Sequence, residues 1–156
     1  MAITASLVKE LRERTGIAMM KCKKALEECD GNMEEAVDLL RKQGLATADK
    51  KSDRATNCGG VGLALSETKG VIVTLTCETD FVSGNDVFKG FVADIAKVAL
   101  DNGITDVEAL KAADLNGSSI ADGIVEKVAQ LGENMQLVAI DVTEGAAVAG
   151  YLHNNG

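Results

Sequence analysis

The sequence is poor in aromatic rings: three phenylalanines, one tyrosine and no tryptophan among 156 residues. It holds one histidine, His153, which leaves little material for a catalytic triad. Its four cysteines, Cys22, Cys29, Cys58 and Cys77, include no C-x-x-C pair, so neither zinc-site spacing nor a disulfide framework is present. Buried or idle thiols are the expectation. No stretch approaches the ~18 apolar residues that a membrane helix needs. The start, Met1-Ala2-Ile3-Thr4, lacks the basic and then apolar composition of a signal peptide, so a cytoplasmic location without membrane contact is expected. Phosphate-loop, dinucleotide-glycine, nucleophile-elbow and H-E-x-x-H patterns are also missing. No cofactor and no metal site are expected, and the chain does not read as an enzyme.

Charge is unevenly spread. Residues 1–54 carry eleven Lys/Arg against ten Asp/Glu, whereas residues 55–156 carry five against fourteen. Affinity for nucleic acid rests largely on neutralising phosphates with Lys and Arg, so the second part disfavours such a partner. A protein with a basic or mixed surface fits it better.

Hydrophobic content of 46% makes the chain globular, with room for one ordinary domain or two small ones. Ile3, Leu7, Val8 and Leu11 recur at helical spacing behind a Thr4 cap, and Thr15-Gly16 ends that helix. Met19, Cys22, Ala25, Leu26 and Cys29 form a second stripe. Asn32 with Glu35 resembles a capping box and opens a third helix, expected to stop at Gly44. Residues 46–58 lose the stripes and read as a linker, helical at most over 46–54, in which Lys50, Lys51 and Arg54 either form a solvated face or touch a partner. Residues 61–65 and 71–77 read as a hairpin. Ser83 with Asp86 is expected to cap a helix carrying Phe88, Phe91, Val92, Ile95 and Ala99 as its core face. Thr105 with Glu108 suggests a short helix, Asn116-Gly117 a loop, and Ser119 with Asp122 a further helix. Two strands, 136–143 and 146–152, are expected last, with Val138, Ile140 and Val142 facing the helices. Strands at both ends with helices between them predict an α+β fold, helices layered on an antiparallel sheet of three to four strands.

One stretch stands apart. Thr79-Asp80-Phe81-Val82 sits where the second strand gives way to a helix, and Phe81 belongs to neither apolar pattern. Such junctions run over the surface and often carry function. Phe81 is either a protruding wedge for a partner's pocket, with Asp80 beside it, or a plug folded back over its own sheet end. Glu78 and Asp80 form a carboxylate pair that could do acid/base work in principle, but no electrophilic partner accompanies them. Met19 and Met20 cannot both face one core, because helix neighbours lie about 100° apart. One of them is expected outside, as a docking contact or as ordinary packing.

Two motifs carry a family resemblance: Arg14-Thr15-Gly16-Ile17-Ala18-Met19-Met20-Lys21-Cys22-Lys23-Lys24-Ala25-Leu26 and Cys77-Glu78-Thr79-Asp80-Phe81-Val82. Supporting matches are Leu131-Gly132-Glu133-Asn134 and Gly150-Tyr151-Leu152-His153. Through them the chain resembles the elongation factor Ts family over nearly its whole length, departing from the usual first motif at Ile17, Ala18 and Lys21. The resemblance implies a three-helix, ubiquitin-associated-like domain over 1–45, a linker over 46–58 and an α+β core subdomain over 59–156. It implies guanine nucleotide exchange on the GDP-bound GTPase elongation factor Tu. Thr79, Asp80, Phe81 and Val82 would act as a wedge beside that partner's magnesium site. Lys9, Met19, Met20 and Lys23 would dock, with Leu131, Gly132 and His153 as further contacts. A fragment that binds without exchanging, and a ubiquitin-associated-like peptide-binding module, are the competing readings.

Overall fold

The computed structural model describes residues 3–154, so Met1, Ala2, Asn155 and Gly156 at the ends of the two expected domains lie outside the described residues. Three helices come first: α1 (Ala5–Thr15), α2 (Met19–Glu28) and α3 (Met33–Lys51). The Thr4 hydroxyl accepts from the Leu7 amide, and the Asn32 side-chain oxygen Oδ1 accepts from the Glu34 and Glu35 amides while its side-chain nitrogen donates to the Glu35 carboxylate. These local caps satisfy amides that a helix start leaves unpaired. Val8, Leu11, Ile17, Cys22, Ala25, Leu26, Ala36 and Leu40 close into one small buried cluster.

Helix α3 does not stop at Gly44, as its glycine suggested. It runs seven residues further, and Gly44 is buried inside it. A helix-ending glycine normally takes positive φ, and Gly44 is not among the positive-φ residues. It faces helix α7 (Ile120–Leu131), where an added Cβ would lie in ordinary van der Waals contact with Ala129 and Val125. Residues 46–51 of the expected linker are therefore helix, within the 46–54 that the sequence allowed, and 52–57 are turn and irregular chain.

The hairpin is β1 (Cys58–Leu65) with β2 (Lys69–Cys77), and β5 (Met135–Glu144) completes an antiparallel sheet in the order β1-β2-β5. Between β2 and β5 lie α4 (Asp80–Ser83), α5 (Asp86–Asn102), α6 (Val107–Ala112), the two-residue strands β3 (Asp114–Leu115) and β4 (Ser118–Ser119), and α7. The fold is α+β, helices on one face of a three-stranded sheet. Val71, Val73, Leu75 and Cys77 face the helices, and Phe88, Phe91, Val92, Ile95 and Ala99 of α5 meet them in a second, larger cluster. The approach is close: a Cβ on Gly62 of β1 would sit 2.3 Å from the Val92 carbonyl oxygen, so α5 lies directly on strand backbone.

Several local expectations are corrected. Asn85, not Ser83, caps α5, accepting from the Val87 amide at 2.8 Å; the Ser83 hydroxyl instead donates to the Asp80 carbonyl inside α4. Asp106 rather than Thr105 caps α6, and Asn116-Gly117, with φ of 58° and 89°, is the tight turn of the β3-β4 hairpin rather than an open loop. Val138 is exposed. The register passes from Thr74 opposite Ala139 to Leu75 opposite Leu137, which leaves Val138 as an extra residue. One added residue reverses which side chains face inward. Met135 and Leu137 therefore point inward before the bulge, and Ile140 and Val142 pack against the core after it.

The expected fourth strand over 146–152 is not there. Among the described residues the chain after Glu144 is irregular: the Gly145 and Val148 amides donate to the Thr68 and Glu67 carbonyls, bending the tail over the hairpin end. Ala146, Ala147 and Ala149 have little strand propensity to resist that bend.

Candidate functional site

The site grows out of the end of β2. Cys77 is its last residue, buried, and its thiol donates to the Thr79 carbonyl at 3.2 Å. Burial, and next the Glu133 carboxylate, push this thiol up to about 11. Thr79 is extended, with φ −128° and ψ 159°, and stands at the start of α4. Its hydroxyl does not cap that helix. It donates to Glu133 Oε1 at 2.5 Å, while the Glu78 and Thr79 amides donate to Glu133 Oε2 at 3.1 and 3.0 Å.

Glu78 is tied in the opposite sense. Its Oε1 accepts from the Asn134 amide at 2.7 Å and lies 3.6 Å from the Arg54 guanidinium. The Glu78 and Asp80 carboxylates thus have separate roles, one held within the fold and one exposed. Asn134 is buried, and its side-chain amide donates to the Ser52 and Arg54 carbonyls just past α3. Lys51 donates to the Gly132 carbonyl. Three consecutive residues after α7, Gly132, Glu133 and Asn134, thereby grip both the exit of α3 and the entry to α4.

Helix α4 is a single turn. Val82 drops into the larger core cluster, which corrects its assignment to the wedge: a side chain 8% exposed is an anchor, not a contact. Phe81, about 100° round the turn, is 87% exposed, and Asp80 is exposed beside it. The plug reading fails, since the ring covers nothing of its own sheet.

The other sequence-derived residues do not gather here. Met19 and Met20 are both exposed, at 48% and 65%, on the first turn of α2, where one had been expected inside. The buried stripe of α2 starts only at Cys22, and the bulk at Ile17 fills the small core in front of it. Ala18 and Lys21 are exposed. Lys9 and Lys23 are exposed and pair within their own helices with Glu13 and Glu27, each at 3.7 Å. Leu131 is half-buried against the core, Gly132 is exposed at the end of α7, and His153 is exposed on the tail with its ring edge-on to Tyr151 at 6.5 Å. Of the basic residues at 50–54, Lys51 bonds to the Gly132 carbonyl and Arg54 pairs with Glu78.

Sequence reading missed Glu133 and Asn134 as structural agents. Their partners lie 54 to 82 residues away, and no local pattern announces such pairs. Among the described residues no cluster of three His, Cys, Asp or Glu could hold a metal ion, and no helix is long and apolar enough to cross a membrane.

The family model for elongation factor Ts matches residues 78–156, from Glu78 at the end of β2 to the end of the chain. The chain is 54% identical over 156 residues to elongation factor Ts of Paramagnetospirillum magneticum, covering 97% of this chain and 49% of that protein. It is 53% identical to that of Jannaschia sp. and 51% identical to that of Paracoccus denitrificans, each over 99% of this chain and 52% of the relative. The chain spans about half the length of the curated relatives it matches.

Proposed function

The chain belongs to the elongation factor Ts family, and from that premise we propose that it is a guanine nucleotide exchange factor of translation elongation, binding GDP-bound elongation factor Tu and hastening GDP release. It makes and breaks no covalent bond. Asp80 and Phe81 enter the partner beside its magnesium ion, Thr79 and Val82 hold them from behind, and Lys9, Met19, Met20 and Lys23 dock. Gly132, His153 and the exposed part of Leu131 add contacts.

The observation that carries this reading is the outward ring of Phe81 on a turn fixed from two sides. A phenylalanine moved from water into a pocket contributes roughly 2–3 kcal/mol to whichever partner conformation offers that pocket. Magnesium demands near-ideal octahedral geometry, so a small displacement of its surroundings weakens the phosphate end of the nucleotide. Linkage makes the effect reciprocal: a factor that weakens GDP by some ratio is itself weakened by GDP in the same ratio.

Mixing the full chain with elongation factor Tu loaded with fluorescent GDP tests this directly. Co-elution with accelerated release is the expected result. Co-elution without acceleration would leave a binding module only, and absence of both would overturn the reading.

A further inference from the structure

Helix α4 has four residues and no side-chain cap, so it has no stability of its own. Its position must come from what it touches. Below, Val82 is seated in the core; behind, the Glu133 carboxylate collects the Glu78 and Thr79 amides and the Thr79 hydroxyl. Thr79, which could have capped α4, is committed to Glu133 instead. Asn134 continues the tie to the Ser52 and Arg54 carbonyls, at the exit of the helix that belongs to the three-helix unit. A carboxylate and an amide, adjacent in sequence, thus fasten the junction beneath Phe81 to the unit that carries Met19 and Met20.

We propose that Glu133 is a positioning residue for Phe81, and that the Glu133-Asn134 pair transmits the grip of the three-helix unit to the ring, so that binding energy gained at α1 and α2 acts on the partner's nucleotide site. This rests on the exchange reading above. Removing the carboxylate leaves docking intact but frees the ring to miss its target, and an ångström-scale misplacement is enough to lose most of a positioning effect. Glutamine retains the arrangement: its carbonyl oxygen accepts from the two amides, and its own amide donates to a hydroxyl that can turn to accept.

The test is a stopped-flow titration of labelled-GDP release by the full chain carrying Glu133→Ala, Glu133→Gln or Thr79→Val, each alone and with Phe81→Ala. Glu133→Ala should lower the maximal rate about tenfold while the half-saturating concentration stays within about twofold. Glu133→Gln should recover most of the rate. Thr79→Val, which keeps the carboxylate and both amide bonds, should cost about threefold and serves if the alanine variant does not fold. In the Phe81→Ala background none of the three should lower the rate further. An unchanged maximal rate in Glu133→Ala or, should that variant not fold, in Thr79→Val overturns the proposal, as does an equal loss with and without the ring. Failure of the exchange reading shows differently, as a Phe81→Ala chain that releases GDP at the parental rate. Amide hydrogen exchange at Glu78 and Thr79, measured without any partner, must quicken in Glu133→Ala; unchanged protection refutes the brace whatever the kinetics show.

Discussion

Two of the places where the chain exposes apolar side chains are built in opposite ways. Met19 and Met20 stand on the first turn of α2, whose preceding residue, Ala18, offers no side-chain cap, above a cluster made of small and medium side chains. Phe81 stands on a single turn pinned by Val82 from within and, through Thr79, by Glu133 from 54 residues away along the chain. Methionine has three rotatable bonds and adapts to its partner; phenylalanine is a rigid plate with two. A flexible pair on a lightly built unit is suited to holding a partner, and a rigid ring on a braced turn is suited to displacing something inside it. On the proposed reading, what separates holding from displacing is the support behind the side chain rather than its hydrophobicity.

That contrast breaks or sharpens by substitution. The largest effect is expected from Phe81→Ala, which should lower the maximal GDP-release rate by about 30- to 160-fold, the kinetic equivalent of about 2–3 kcal/mol, with thermal unfolding unchanged because the ring covers nothing. Next, Met19→Ala with Met20→Ala should weaken binding by about 1–2 kcal/mol, read by calorimetry, and leave the saturated rate near parental. A fall in the saturated rate would erase the distinction between the two surfaces.

A smaller effect tests how dry the ground beneath the wedge is. The Cys77 thiol ionises near 9 when unfolded and near 11 when folded. The folded chain disfavours the thiolate, so the stabilisation is complete below pH 9 and fades as pH rises through 11. Denaturant unfolding should lose about 1–2 kcal/mol across that window, and Cys77→Ser should flatten the loss. Smallest is Asn32→Ala, which removes the cap of α3 and should cost about 1 kcal/mol in thermal stability.

What could be read from the residues was what they settle locally. The caps at Thr4, Asn32 and Ser119 lie within three residues of the amides they satisfy, and the alternation of Val71, Val73, Leu75 and Cys77 shows one buried face. Gly44 misled because a glycine inside a helix looks like its end until the opposing helix is known. Val138 misled because a bulge is a property of two strands rather than of one. At the site, the oddity of Phe81 was visible and its outward direction was not, since a ring at a junction can fold either way. Glu133 was visible only as part of a turn motif; that it anchors Thr79 depends on β5 returning beside β2, which no window of neighbours contains.

The central claim is that holding and displacing are separate in this molecule and that Phe81 displaces. The measurement that meets it most directly takes one sample of Phe81→Ala and determines both its affinity for GDP-bound elongation factor Tu and its saturated rate of GDP release. Affinity within about threefold of the parent with the rate largely lost is the predicted result. A parental rate, or a loss of affinity that alone accounts for the slower release, would contradict it.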